Sequence, residues 1–149
     1  MELRPINNHM SLNPTIVAGP VIVENDKVLL VKSKKDDVES NWKFPGGKKK
    51  DTDVDLKATC EREAKEELGI GLNIKELIKE IPIKNKDNEF FLIHYLAERI
   101  GEINPQNEIS QWDWHDINNL PKDCEPNVYE VIKEYKEKEI KKEGSFNKQ

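Results

Sequence analysis

The chain has 149 residues, 36% hydrophobic and 36% charged, with net charge −5 and a pI near 5.4. That length suits one domain with a substantial core, the clustering of its apolar residues argues against disorder throughout, and the acidic balance argues against a general binder of nucleic acids or anionic membranes. No apolar run approaches the ~20 residues of a membrane helix, "MELRPINNHMSLNP" has no signal-peptide core, and Cys60 and Cys124 make neither a disulfide framework nor a zinc pattern, so a reduced, cytoplasmic protein is expected.

Residues 1–13 are polar and are expected to be loose. The run "TIVAGPVIVENDKVLLVKSKK" predicts strands over 15–23 and 27–32, joined at Glu24-Asn25-Asp26, with Pro20 marking an edge or a bulge. "SKKDDVESN" reads as a polar surface loop, and "WKFPGG" as two aromatics before a Pro-Gly-Gly bend and the charged loop "KKKDTD". A helix is predicted over 55–68, capped by Asp53 or Asp55 and ended by Gly69 in the left-handed region. "LNIKELIKEIPIK" supplies a strand around 77–83 and Asp87-Asn88 a turn. The continuous apolar run "FFLIHYLA" predicts a central strand buried on both faces. "IGEINPQNE" reads as a loop, "QWDW" as a short strand and "DINNLP" as a turn or short helix. "EPNVYEVIKEYKEKEIKK" closes the chain as a helix with Val128, Val131, Ile132 and Tyr135 on one face, and residues 144–149 are expected to fray. With no repeat and no linker, the order β-β-α-β-β-β-α predicts a single domain over 1–149 of the α/β (α+β) class, a mixed sheet flanked by helices.

The predicted helix poses the chemical question. "CEREAKEELGI", residues 60–70, packs four glutamates around one arginine, although like charges four residues apart cost roughly 0.2–0.5 kcal/mol per pair. At about 100° per residue, Leu56, Cys60, Ala64 and Leu68 make the packing stripe, while Lys57, Glu61 and Lys65 face water. Glu63 and Glu67 fall about 40° apart on the near edge of that stripe, with Glu66 about 60° further round. No lysine shares this sector, and Arg62 borders it within reach of Glu66. A solvated face is the bland alternative. Carboxylates at a core margin without adequate counterions nevertheless call for a cation, and an all-oxygen set suits Mg²⁺ or Mn²⁺ rather than zinc. Such an ion is the standard partner of a phosphate substrate.

At these residues the chain resembles the Nudix hydrolases, including their MutT-like branch. The family's box reads G-x5-E-x7-R-E-U-x-E-E-x-G-U, where U is a bulky aliphatic. Its second half is matched from Arg62 through Glu63, Glu66, Glu67 and Gly69 to Ile70, with Ala64 a small choice for U. Only three of the 24 basic residues are arginine, yet the position that wants a planar, bidentate cation has one. "FPGG", with Gly47 as the first box glycine, resembles the family's approach to the box. The first half departs: one extra residue separates Gly47 from Arg62, and the glutamate position falls on Asp53 counted forward or Val54 counted back. We read a one-residue insertion in "KKKDTDV", with Asp53 a partial substitute for the glutamate that supports loop, helix and arginine in the family.

The resemblance covers residues 16–134 and implies a central mixed sheet between helices, with the box as a loop–helix–loop. It implies metal ligation by Glu63, Glu66, Glu67 and the Gly47 carbonyl, with Arg62 orienting the glutamates. "NEISQWDW" is similar to the late stretch where family members supply a further acid, making Glu108 a candidate ligand or general base; an exposed loop glutamate is the alternative. Lys48, with Lys49 and Lys50, follows the bend and is a candidate for distal phosphates, weighed against solvated lysines. Trp42 and Phe44 are candidates to stack on a base, weighed against core packing, as are Trp112 and Trp114. His94 is read as a satisfied core histidine and Cys60 as helix core. The implied activity is Mg²⁺-dependent pyrophosphohydrolysis of a nucleoside diphosphate linked to X, first of all a nucleoside triphosphate (oxidised ones included) cleaved to monophosphate and pyrophosphate. ADP-ribose or a nucleotide sugar is the alternative substrate. A Nudix fold that binds a nucleotide without turnover is the alternative of another class, supported by the altered loop alone. Expected partners are a small nucleotide and at most a second copy of the chain, with no stable nucleic acid and no membrane.

Overall fold

The computed structural model describes residues 14–147, with side chains to residue 144. Strands β1 (Thr15–Val21), β2 (Val23–Glu24) and β3 (Lys27–Lys35) follow the predicted order, and Asn25 and Asp26 turn the chain at φ 53° and 61°. Asparagine and aspartate tolerate that left-handed region because their short polar side chains bond locally. "SKKDDVESN" is not a loop. Asp36 and Asp37 make a second tight turn at φ 51° and 63°, and Lys34 and Lys35 pair with Glu39 and Val38 of β4 (Val38–Glu39). A hairpin tip that is polar on both faces carries no hydrophobic alternation to reveal it.

After the two-residue β5 (Gly47–Lys48) comes helix α1 (Leu56–Leu68), close to its predicted span. The Asp55 carboxylate caps it by accepting the Ala58 N–H at 2.8 Å, and Gly69 ends it at φ 66° with its N–H on the Lys65 carbonyl at 3.0 Å. Gly69→Ala is therefore expected to destabilise the protein by roughly 1–2 kcal/mol, read from its urea midpoint, because a Cβ is strained in that region.

Strands β6 (Gly71–Asn85) and β7 (Asn88–Ile100) are longer than predicted and form one hairpin about Lys86-Asp87. Register shifts at Ile74/Glu76 and Leu77/Lys79 interrupt the alternation along β6, so a period of two reveals only its distal part. The short "QWDW" strand extends to β8 (Ile109–Asp116), and helix α2 (Pro126–Asn147) continues past the point where fraying was expected. Residues 1–13 and 148–149, whose looseness was also expected, lie outside the described residues.

One sheet has the order β5-β1-β7-β6, with β1 parallel to β7 and the outer pairs antiparallel. Because β5 reaches only Val17 and Ala18, Pro20 occupies a stretch of β1 with no partner on that side, where a missing N–H costs nothing. The second sheet runs β2-β3-β4, with β8 antiparallel along β3. Alternation along β3 builds both halves of the core. Val28 and Leu30 pack with Val128, Val131 and Ile132 of α2, while Leu29 and Val31 pack with Cys60, Ala64 and Leu68 of α1. All four β3 residues are fully buried, worth about 1.5–3 kcal/mol each. The strand predicted to be covered on both faces, β7, is central but buried only at Ile93, His94 and Ala97; Phe90, Phe91 and Leu92 stay half-buried.

Candidate active site

Helix α1 holds Glu63 and Glu67 half-buried and Glu66 more exposed, as its wheel predicts. Glu66 and Glu67 also sit in the last turn, where the helix dipole is already negative, so their placement is unfavourable without a cation. That end is fastened by a loop. The N–H groups of Asn104 and Gln106 donate to the carbonyls of Leu68 and Glu67 at 2.8 Å, and Asn107 Nδ2 donates to the Glu66 carbonyl at 2.8 Å. These bonds satisfy helix carbonyls that would otherwise lack partners, and they bring the next residue, Glu108, alongside α1. Glu63, Glu66, Glu67 and Glu108 consequently line one cleft of about 480 Å³. They do not close on a common point: among the described residues no three His, Cys, Asp or Glu side chains form a ready-made metal cluster.

Arg62 explains part of that spread. Its Nη1 donates to Glu63 at 2.8 Å and to Glu66 at 3.2 Å, drawing both carboxylates toward the guanidinium. Its Nε and Nη2 grip the two oxygens of Asp53 at 2.9 Å each, and Nη2 also reaches the Lys48 carbonyl at 2.9 Å. Asp53 is buried and further accepts the Thr59 hydroxyl and the Lys50 N–H, both at 2.9 Å. Arg62, then the Lys50 N–H, hold its carboxyl well below the usual carboxylate range. An aspartate thus ties loop, helix and arginine together. The extra residue lies after it, where Val54 projects into solvent at 89% exposure.

Glu67 is the electrostatic anomaly. Burial pushes its carboxyl up to about 8, and the neighbouring Glu63 carboxylate adds to the effect; the Gly46 N–H, donated at 3.1 Å, and the Lys43 charge pull the other way. Gly47 carries the bend past this pair so closely that a Cβ there would lie 2.5 Å from the Glu63 carboxyl. Only glycine fits.

A second cleft of about 450 Å³ adjoins the first, lined by Gly19, Phe44, Lys48, Leu92, His94 and Asn127 among others. His94 is the satisfied histidine the strand pattern predicts. Its Nδ1–H donates to the Gly19 carbonyl at 3.3 Å, so Nε2 is left to accept from Asn127 Nδ2 at 3.1 Å, and burial pushes its pKa down to about 4. Phe44, 5% exposed, packs against that ring. Trp42 lines neither cleft: it packs on the α2 side of the core, beneath the Lys32 ammonium and against His115. Trp112 and Trp114 pack on the α1 side. Sequence reasoning passed over Ser33, Lys43, Asn107 and Asn127. For Lys43 a signal existed: alternation along Trp42-Lys43-Phe44 sends its side chain away from both core aromatics.

The NUDIX domain profile matches residues 13–135. The chain belongs to the Nudix family. An ADP-ribose pyrophosphatase of Methanocaldococcus jannaschii is 28% identical over 118 residues, covering 74% of this chain and 67% of that protein. The fold is similar to the crystal structure of a MutT NUDIX hydrolase from Burkholderia pseudomallei, with TM-score 0.73 at 24% identity, over 82% of this chain and 98% of the other. A crystal structure of an ADP-ribose pyrophosphatase from Streptococcus suis superposes with TM-score 0.56 at 25% identity, covering 73% and 78% of the two chains. This Nudix protein is a hydrolase acting on phosphoric anhydride bonds, of mixed sheets flanked by helices. Among the described residues no helix is long and apolar enough to cross a membrane.

Proposed function

We propose that this Nudix hydrolase, as a single domain, cleaves a nucleoside diphosphate linked to a further group X, using a divalent ion held by Glu63, Glu66, Glu67 and the Gly47 carbonyl. The observation that carries the reading is the alignment of four carboxylates along one cleft that opens beside a second, partly apolar one. The residues fit a hard cation: the donors are all oxygen, one carboxyl is buried against another, and the helix end adds negative potential. Mg²⁺ is the first choice and Mn²⁺ the second. The bound ion would neutralise phosphate oxygens and make a water more acidic. Arg62, anchored on Asp53, orients Glu63 and Glu66. Glu66, Glu67 or Glu108 accepts the proton of the attacking water. Phe44 and Leu92 wall the nucleoside cleft; Lys48, the candidate for distal phosphates, lines this cleft and not the carboxylate one, which puts it nearer the nucleoside end of the substrate. The reading of a non-catalytic module loses its support, since the altered loop still engages the box arginine through Asp53.

Two groups X are favoured by separate observations. The "WKFPGG" approach supports a nucleoside triphosphate cleaved to monophosphate and pyrophosphate. The relatives named ADP-ribose pyrophosphatase support ADP-ribose or a nucleotide sugar, and they carry more weight because they are matched over most of this chain. A panel of nucleotides with Mg²⁺ and Mn²⁺ decides: AMP with ribose 5-phosphate marks ADP-ribose, and pyrophosphate marks a triphosphate. Tight binding without turnover across the panel would remove the enzyme reading.

Metal affinity should depend on pH through Glu67. Its carboxyl holds a proton below about 8, and a cation needs the carboxylate. Apparent Mn²⁺ affinity is therefore expected to rise about tenfold per pH unit from 6 to 7.5 and to level off above 8, with one proton released per ion. Calorimetry in buffers of different ionisation enthalpy measures that proton; a pH-independent affinity would contradict the assignment.

A further inference from the structure

Among the described residues, Lys43 alone lines both the carboxylate cleft and the nucleoside cleft. Its backbone is pinned to β3: its N–H donates to the Val31 carbonyl at 2.9 Å, and the Val31 N–H donates back at 2.8 Å. The flanking Trp42 and Phe44 pack into the α2-side core, which leaves the lysine side chain on the opposite face, toward the carboxylate cleft, while Phe44 also walls the nucleoside cleft that Lys43 borders. There its ammonium donates to Ser33 Oγ at 2.8 Å, and no carboxylate of the described residues lies within ion-pairing distance of it. An ammonium has three donors, and Ser33 takes one. A half-buried cation, held at the junction of an acidic cleft and an apolar one without an acid of its own, is built for an anion from outside.

We propose that Lys43 contacts the nucleoside-proximal phosphate of the substrate, the group that spans the junction of the two clefts. The inference rests on the pyrophosphohydrolase reading. It assigns the phosphates unequally: a cation held by Glu63, Glu66 and Glu67 would neutralise the oxygens above them, whereas the phosphate attached to the nucleoside lies where the chain supplies its own positive charge. Ser33 is a positioning residue, holding the ammonium at the junction. The competing explanation is that Lys43 only offsets the repulsion among the carboxylates, with its field reaching Glu67. The two explanations differ in which affinity falls when the charge is removed.

The probes are AMP and adenosine, titrated calorimetrically into the full chain in EDTA, with Mn²⁺ titrated separately. Wild type is expected to prefer AMP. Lys43→Met should reduce the ratio of AMP to adenosine affinity roughly 10- to 100-fold, the scale of a lost charge-assisted hydrogen bond, with adenosine binding unchanged and Mn²⁺ affinity moved by a smaller factor through the altered field at Glu67. Lys43→Arg should restore most of the ratio, which also shows that the position tolerates substitution, and Ser33→Ala should lower it by a smaller factor. An unchanged ratio in Lys43→Met, a change confined to Mn²⁺ affinity, or a wild type that binds AMP no tighter than adenosine would each overturn the proposal. Failure of the parent reading looks different: wild type would bind AMP in EDTA yet turn over nothing in the metal-supplemented panel.

Discussion

Glu67→Gln is expected to lower kcat roughly 100- to 10,000-fold while nucleotide affinity stays within a few-fold of wild type. The amide has the shape of the carboxyl and keeps an oxygen for the Gly46 N–H, so neither a cavity nor an orphaned donor follows. What disappears is the charge. If Glu67 is a metal ligand or the acceptor of the water's proton, both roles need that charge, and turnover collapses without misfolding. Stability supplies a second signature with the opposite sign. Burial raises the Glu67 pKa from about 4.5 to about 8, so the folded chain binds an extra proton in that window. The stability it contributes is present below the unfolded value and is lost as pH rises through the folded one. Above pH 8 in EDTA, the variant should therefore melt higher than wild type, because it never places a charge in that site. A variant that loses activity and also melts lower at pH 8.5 would point to structural damage, and one with unchanged kcat would remove Glu67 from the site.

Arg62→Lys should be milder on turnover, with activity down roughly 10- to 100-fold, the range seen when a partner that orients metal ligands is lost. The planar guanidinium spends its donors on Asp53, Glu63, Glu66 and the Lys48 carbonyl at once, and an ammonium is a point charge that cannot span them. Asp53 is buried, so a poorly matched partner leaves it under-satisfied and the melting temperature should fall by several degrees. Unlike Glu67→Gln, this variant should lose stability in EDTA as well as in Mn²⁺. Its acid sensitivity should also change. The depressed Asp53 pKa contributes stability above the ordinary aspartate range that is lost as pH falls through it, so weakening the pair flattens the acid limb of a melting-temperature profile. A lysine variant with wild-type kcat and an unchanged acid limb would mean that Arg62 is an ordinary surface charge.

Much of this arrangement is written locally. The caps of α1 at Asp55 and Gly69, its Cys60-Ala64-Leu68 stripe and the acidic sector beside it all depend on residues within a turn or two of one another, which helical periodicity exposes directly. The same holds for the buried face of α2 at Val128, Val131 and Ile132. Asp53 was legible as a stand-in for a glutamate; that it grips Arg62 with both oxygens was not, because an aspartate is one methylene shorter and its reach depends on how the loop with the extra Val54 brings the backbone in. Elsewhere the sequence is silent for a common reason. Strand partners lie far apart in the chain, and a polar hairpin such as β3–β4 or a bulged strand such as β6 has no periodic pattern to announce it. The placement of Lys43 between two clefts, the exclusion of Trp42 from both and the fastening of Glu108 to the end of α1 are consequences of which strands and loops meet. Residue types and their local spacing determined the acidic helix and its arginine. Long-range pairing alone decided which cation, which aromatic and which distant acid would face it.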